Sequence, residues 1–210
     1  MTRTRVKVCG VTRPRDAELA VSLGADLIGL NFWPGSPRVV SLERAREIAA
    51  AVAGEATLVG VFVNQSRREI GELERRVPLD LVQFHGDEGP DELAAFGERA
   101  IKVFRPTADF SPTLLDGYSE VWGFLFDRAH PTLRGGSGQA WPYERIGGLD
   151  CGRPVLVAGG LRPENVARAI RSSGAWGVDV CSGVETSPGV KSPEAMSRFF
   201  AEVCNVEKAG

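Results

Sequence analysis

Eight short runs of valine, isoleucine, leucine and phenylalanine in this chain each close on a residue with chemistry of its own. In order these are Cys9, Asn31, Asn64, His85, Arg105, Asp127, the pair Gly159-Gly160 and the pair Ser182-Gly183. Lys7 lies two residues before Cys9, and so on the same face of an extended strand. A cation there favours thiolate over thiol and makes Cys9 a candidate base; a small buried hydrophobe is the plainer use. Asp127 closes the apolar run Val121–Phe126. Against aromatic rings a carboxyl pKa is expected to rise, which suits a general acid, whereas a lone aspartate also serves as a cap. His85, within Gln83-Phe84-His85-Gly86-Asp87, suits either proton transfer or loop hydrogen bonding. Arg38, in Ser36-Pro37-Arg38, offers a planar fork for a carboxylate or a solvated surface charge. Glycine at 159, 160 and 183, with Ser182, lets backbone N–H groups approach an anion, or makes two tight turns.

These residues need a frame, and the spacing of the apolar runs supplies one. Val6–Cys9, Asp26–Phe32, Thr57–Val63, Leu79–Phe84, Ala100–Phe104, Val121–Asp127, Pro154–Ala158 and Gly177–Cys181 read as strands, most of them continuously apolar and hence covered on both faces. Segments of helical period separate them: Pro14–Leu23, Leu42–Ala53, Arg67–Arg76, Pro90–Gly97, Pro142–Gly147, Pro163–Ser172 and Pro193–Val203. The stretch Arg105–Leu115 supports only a short helix. Ser66 with Glu69 forms a capping box, Ser192-Pro193 starts the last helix, and Gly24, Gly54, Gly97 and Gly174 stand where helices stop. Eight near-equal strand–helix units with no linker predict one α/β domain over residues 1–210, a closed (β/α)8 TIM barrel, with an open doubly wound sheet as the alternative. In such a barrel the carboxyl ends of the strands carry the chemistry, and the loops after strands seven and eight commonly hold phosphate. Closure would also bring Asp179 of strand eight beside Lys7 of strand one, pairing a charge that points inward.

Composition narrows the partners. Of the 210 residues, 43% are hydrophobic and 25% charged, and 25 basic against 27 acidic side chains leave a net charge of −2. No strong positive field is available for nucleic acid. No apolar run reaches the length of a membrane span, and no signal-peptide core follows the first charges. Cys9, Cys151, Cys181 and Cys204 include no CxxC pair, and the two histidines, His85 and His130, exclude a multi-histidine metal centre. A cytoplasmic protein with reduced thiols and no multi-histidine metal site is expected, acting as a monomer or homodimer. The glycine-rich Arg134-Gly135-Gly136-Ser137-Gly138 lacks the ending of a nucleotide-binding loop and reads as a lid or substrate-contacting loop. Arginine outnumbers lysine 21 to 4, which fits a GC-rich genome as well as heat adaptation.

Taken together, these stretches resemble the phosphoribosylanthranilate isomerase family. The matching segments are Lys7–Thr12, Gly24–Asp26, Ser36–Arg38, Val59–Asn64, Gln83–Asp87, Ala158–Leu161 and Asp179–Glu185, in the family's order, with Gly189–Lys191 closing the match. Departures are small: valine for isoleucine in the first motif, phenylalanine for leucine before His85, and cysteine for serine at 181. The resemblance implies an Amadori rearrangement of a phosphosugar in tryptophan biosynthesis, with Cys9 as general base and Asp127 as general acid. It further implies that Arg38 holds the anthranilate carboxylate, that Gly159, Gly160, Ser182 and Gly183 hold the phosphate, and that His85 and Asp179 touch substrate. Proton transfers at one sugar require neither metal nor organic cofactor. The rival readings are another aminoaldose isomerase, such as that of the histidine pathway, which uses two aspartates, and a non-catalytic phosphosugar-binding barrel.

Overall fold

Alternating inward and outward side chains explain why the strands are apolar throughout. In the computed structural model, which describes residues 3–107, 109–128 and 143–209, eight parallel strands close on themselves in sequence order. They are β1 (Arg5–Cys9), β2 (Leu27–Asn31), β3 (Thr57–Phe62), β4 (Leu81–Phe84), β5 (Ala100–Phe104), β6 (Gly123–Phe126), β7 (Val155–Val157) and β8 (Gly177–Val180). β8 returns to β1 with Lys7 opposite Asp179, and β1 pairs β2 with Lys7 opposite Leu27. The open-sheet alternative is thereby excluded.

One set of side chains fills the barrel: Leu27, Val59, Leu81, Ile101, Val103, Leu125, Leu156 and Ala158. Their sequence neighbours, among them Val8, Ile28, Phe62, Phe84, Phe126 and Val180, point outward into a larger core shared with the helices. Burying both faces removes water from every strand position, and each large aliphatic or aromatic side chain so buried contributes roughly 1.5–3 kcal/mol. Helices α1 (Pro14–Ser22), α2 (Leu42–Ala51), α3 (Arg67–Glu74), α4 (Pro90–Ala94), α5 (Pro163–Ser173) and α6 (Pro193–Ala209) form the outer layer. The expected capping box is present at α3: the Glu69 amide donates to Ser66 Oγ at 3.3 Å and the Ser66 amide donates to Glu69 Oε2 at 2.8 Å. The four helix-stop glycines all take positive φ, from 48° at Gly97 to 100° at Gly24.

Helical content departs from expectation on one flank. The β5–β6 connection holds only a 3-10 helix, Pro112–Tyr118, and the expected helix Pro142–Gly147 is a single 3-10 turn, Tyr143–Ile146, Pro142 itself lying outside the described residues. Past β8 the chain makes an unforeseen hairpin of β9 (Glu185–Ser187) and β10 (Val190–Lys191) around Pro188-Gly189, with Gly189 at φ 80°. Proline followed by a positive-φ glycine is the pairing a type II turn requires. This hairpin folds back over the mouth of the barrel, where it supplies two residues of the site.

Candidate active site

The inward alternation that fills the barrel continues one step beyond the apolar layer at the carboxyl ends of the strands. Cys9 follows Lys7 on β1, His85 follows Gln83 beyond β4, and Asp127 follows Leu125 beyond β6. A ring of polar side chains thus caps an apolar interior. Beneath Cys9, Lys7 Nζ bonds Asp179 Oδ1 at 3.0 Å, and both residues are buried. That pairing was expected from barrel closure, and the register supplies it. Burial pulls the Lys7 ammonium down, but the Asp179 and Cys9 charges outweigh it and keep the lysine cationic. Asp179 is pushed up to about 7 by burial and by the Cys9 charge, against the pull of Lys7.

A second thiol stands beside the first. Cys181 follows β8 on the rung beyond the Val8–Val180 pair, and its hydrogen bond, with the charges of Lys7 and Lys191, holds the Cys9 thiol well below its ordinary value although burial opposes this. The same contact, together with burial, pushes the Cys181 thiol up, so of the two thiols Cys9 is the one favoured to ionise. Lys191, buried at the end of the hairpin, donates from Nζ to the Cys9 carbonyl at 2.6 Å and the Cys181 carbonyl at 3.2 Å, and pairs with Glu185 at 2.9 Å.

On the other side of the mouth, Asp127 lies 3.3 Å from His85 Nε2 through Oδ2, while Oδ1 accepts the Arg128 amide at 2.7 Å. Here the structure corrects the sequence reading. Burial against the apolar run does push the Asp127 carboxyl up, but His85, the Arg128 amide and the Arg105 charge outweigh it and hold the group below its ordinary value. Asp127 is therefore ionised at neutral pH in the unliganded protein. His85 Nδ1 meets Gln83 Nε2 at 3.0 Å, and its carbonyl accepts from Arg105 Nη2 at 2.7 Å.

Arg38 does clamp a carboxylate bidentately, but that carboxylate belongs to the chain. Nε and Nη2 bond Glu185 at 2.7–3.1 Å, which leaves the Nη1 edge outside the pair. Arg38 and Lys191 together hold Glu185 ionised against burial. Beyond β7, Gly159 and Gly160 have φ of 91° and 79°. A Cβ at Gly159 would stand 2.6 Å from the Arg128 amide nitrogen, and one at Gly183 would collide with the Leu161 carbonyl oxygen. Side chains at these positions would force the two loops apart. Ser182 and Gly183 open a 3-10 turn, Ser182–Val184, directly beside them.

Lys191, Glu185, Arg105 and Gln83 have no role in the sequence reading, although all four stand in its motifs or strand ends. One signal was available: in a chain with only four lysines, three of them (Lys7, Lys102 and Lys191) are buried. The Arg134–Gly138 loop and His130 lie outside the described residues. Among the described residues no cluster of histidine, cysteine and carboxylate side chains is placed to hold a metal ion.

A closed (β/α)8 barrel bearing an ionised thiol and, three strands round the ring, a carboxylate–imidazole pair belongs to the class of acid–base enzymes that work at the carboxyl face. Residues 6–202 match the family model for N-(5'-phosphoribosyl)anthranilate (PRA) isomerase. The chain belongs to that family. An N-(5'-phosphoribosyl)anthranilate isomerase of Acidithiobacillus ferrooxidans is 44% identical over 205 residues, 97% of this chain and 98% of that one. The solved phosphoribosyl anthranilate isomerase of Thermus thermophilus superposes with a TM-score of 0.85 at 36% identity, over 97% of this chain and 100% of its own. A second structure, a phosphoribosyl anthranilate isomerase in complex with reduced 1-(o-carboxyphenylamino)-1-deoxyribulose 5-phosphate, superposes with a TM-score of 0.78 at 33% identity, over 96% and 99% of the two chains.

Proposed function

We propose that this barrel converts N-(5-phosphoribosyl)anthranilate into 1-(2-carboxyphenylamino)-1-deoxyribulose 5-phosphate, the isomerase step of L-tryptophan biosynthesis. The observation that carries the reading is the placement of Cys9, ionised by its neighbours, in one ring with Asp127 and His85. The acid, Asp127, protonates the furanose ring oxygen as the C1–O bond breaks, and the anilino nitrogen lone pair forms the C1=N bond. The Cys9 thiolate then takes the C2 proton, and those electrons make the C1=C2 bond of an enolamine, which tautomerises to the ketone. Each step moves a proton between the sugar and an enzyme group, or an electron pair within the sugar, and the protons that Asp127 gives and Cys9 takes are returned as the enolamine becomes the ketone.

The flanking groups match the two charged ends of such a substrate. Gly159, Gly160, Ser182 and Gly183 present backbone to the 5-phosphate. Arg38, aimed by Glu185, offers its Nη1 edge to the anthranilate carboxylate. Asp179, whose Oδ1 is taken by Lys7, offers Oδ2 to a sugar hydroxyl, and His85 stands at the acid. Anchoring both ends holds the C2 hydrogen before the thiolate, a positioning contribution separate from the proton transfers. All of these side chains come from one chain, so a monomer and a homodimer are equally able to act, in a compartment that keeps Cys9 reduced. A steady-state assay following anthranilate fluorescence tests the proposal. Turnover of phosphoribosylanthranilate by the folded barrel supports it; turnover of the histidine-pathway aminoaldose alone would move the chain to that rival class.

A further inference from the structure

Gln83 is a polar side chain in the wrong company. It is fully buried and points into the barrel between Leu81 and His85, with the apolar Val61 and Ile101 opposite it on the neighbouring strands. Its Nε2 lies 3.0 Å from His85 Nδ1. Among the described residues, its Oε1 is the buried side-chain polar atom left with no hydrogen-bond partner. A leucine would fill this space without that loss, so the amide needs a reason to be there.

We infer that Gln83 is a positioning residue of the acid, an amide whose two orientations match the two protonation states of His85. With the amide nitrogen toward the ring, as in the structure, it donates to a bare Nδ1; the ring proton then sits on Nε2 and points at Asp127 Oδ2. Turned over, the amide places Oε1 against Nδ1, where it accepts from an imidazolium and is no longer orphaned. The same side chain thus accommodates the ring with one proton and with two. This gives the ionised Asp127 a neighbour able to carry the proton that the ring oxygen needs, which neither a hydrophobe nor a fixed donor at position 83 would allow. The charges facing His85 are Asp127 beyond β6, Arg105 beyond β5 through the His85 carbonyl, and the Cys9 thiolate on β1; on its own loop Glu88 is paired with Lys102.

The inference rests on the proposed roles of Asp127 and His85, and its test separates the two. The full chain, labelled with 15N-histidine, contains two imidazoles, and His130→Gln assigns them. In wild type, neutral His85 is expected as the Nε2–H tautomer. Gln83→Leu should weaken that preference, leaving only Asp127 to hold the ring proton on Nε2. Gln83→Glu, a permanent acceptor, should shift the neutral ring toward Nδ1–H and stabilise the doubly protonated ring. In turnover, the alkaline limb of kcat should move up in pH for Gln83→Glu, with KM within about twofold of wild type. His85 nitrogen shifts and titration unchanged in either folded variant would overturn the inference, as would ring pKa changes that leave the alkaline limb in place. Failure of wild type to turn over the substrate would instead sink the functional reading, while the nitrogen shifts would still decide what Gln83 does to the ring.

Discussion

The two halves of the catalytic mouth are built on opposite electrostatic plans. Around Cys9, on β1 and β8 with the hairpin, three of the chain's scarce charged anchors (Lys7, Lys191 and Arg38) are buried or half-buried and tied to Asp179 and Glu185. With the Cys181 contact foremost, Lys7 and Lys191 hold the thiol low, toward the state a base requires, before substrate arrives. Around Asp127, on β4 to β6, the imidazole, the amide and the guanidinium also favour the charged form, which is the wrong state for an acid. One half is fixed in its working state; the other has to be loaded with a proton for each turnover. Burial alone does not reveal this difference, because it opposes the charged form in both halves and loses in both.

The largest effect should come from removing the base. Cys9→Ala is expected to lower kcat by a factor of 10²–10⁴, the usual range for a general base, with the barrel's circular dichroism unchanged. Because the thiol is held low, alkylation of wild-type Cys9 by iodoacetamide should also stay fast well below the pH at which an ordinary thiol is protonated. A rate that falls off at the ordinary thiol value would mean that the charges around Cys9 do not act on it. Asp127→Asn should cost kcat comparably and move the alkylation profile of Cys9 only slightly, through the His85 charge that faces both groups. If Asp127→Asn turns over normally, the acid is His85 and the comparison loses one side.

Next in size is Lys7→Met, which breaks the buried pair with Asp179. Leaving that carboxylate without its cation should destabilise the barrel by roughly 3–5 kcal/mol in denaturant unfolding. The acid limb of the pH–rate profile should rise as well, because the thiolate loses a neighbouring charge. In the double variant Lys7→Met/Asp179→Asn, stability should largely return. The limb should stay raised, and its return to the wild-type position would show that Lys7 acts on Cys9 only through the fold.

What could be read from the sequence follows the range of the interactions. Strand ends, the inward file Lys7–Cys9 and the glycines of the last two loops depend on local period, and the strands, the barrel and the polar ring were all legible there. The Lys7–Asp179 pair was legible too, because closure of a parallel barrel fixes which strands meet. Arg38 shows the limit. Its fork could be foreseen, but its partner Glu185 lies 147 residues away on a hairpin that no periodicity announced. Lys191, 182 residues from Cys9, was hidden for the same reason. The error over Asp127 has a similar source: the apolar run before it was visible, whereas the imidazole that reverses its effect comes from another strand.

The smallest expected effect probes the one departure from the family pattern that touches the base. The Cys181 contact is the largest influence holding the Cys9 thiol low, and the family's usual residue there is a serine, also able to donate. Cys181→Ser should therefore leave kcat on its plateau unchanged and move the acid limb by only a fraction of a pH unit. Cys181→Ala removes that contact altogether and should raise the limb further, because the thiolate then depends on the charges of Lys7, Lys191 and His85. A larger shift for serine than for alanine would mean that volume beside Cys9, not hydrogen bonding, governs the base. The fixed half of the site would then owe its ionisation to the two lysines, and the Cys181 thiol would be packing.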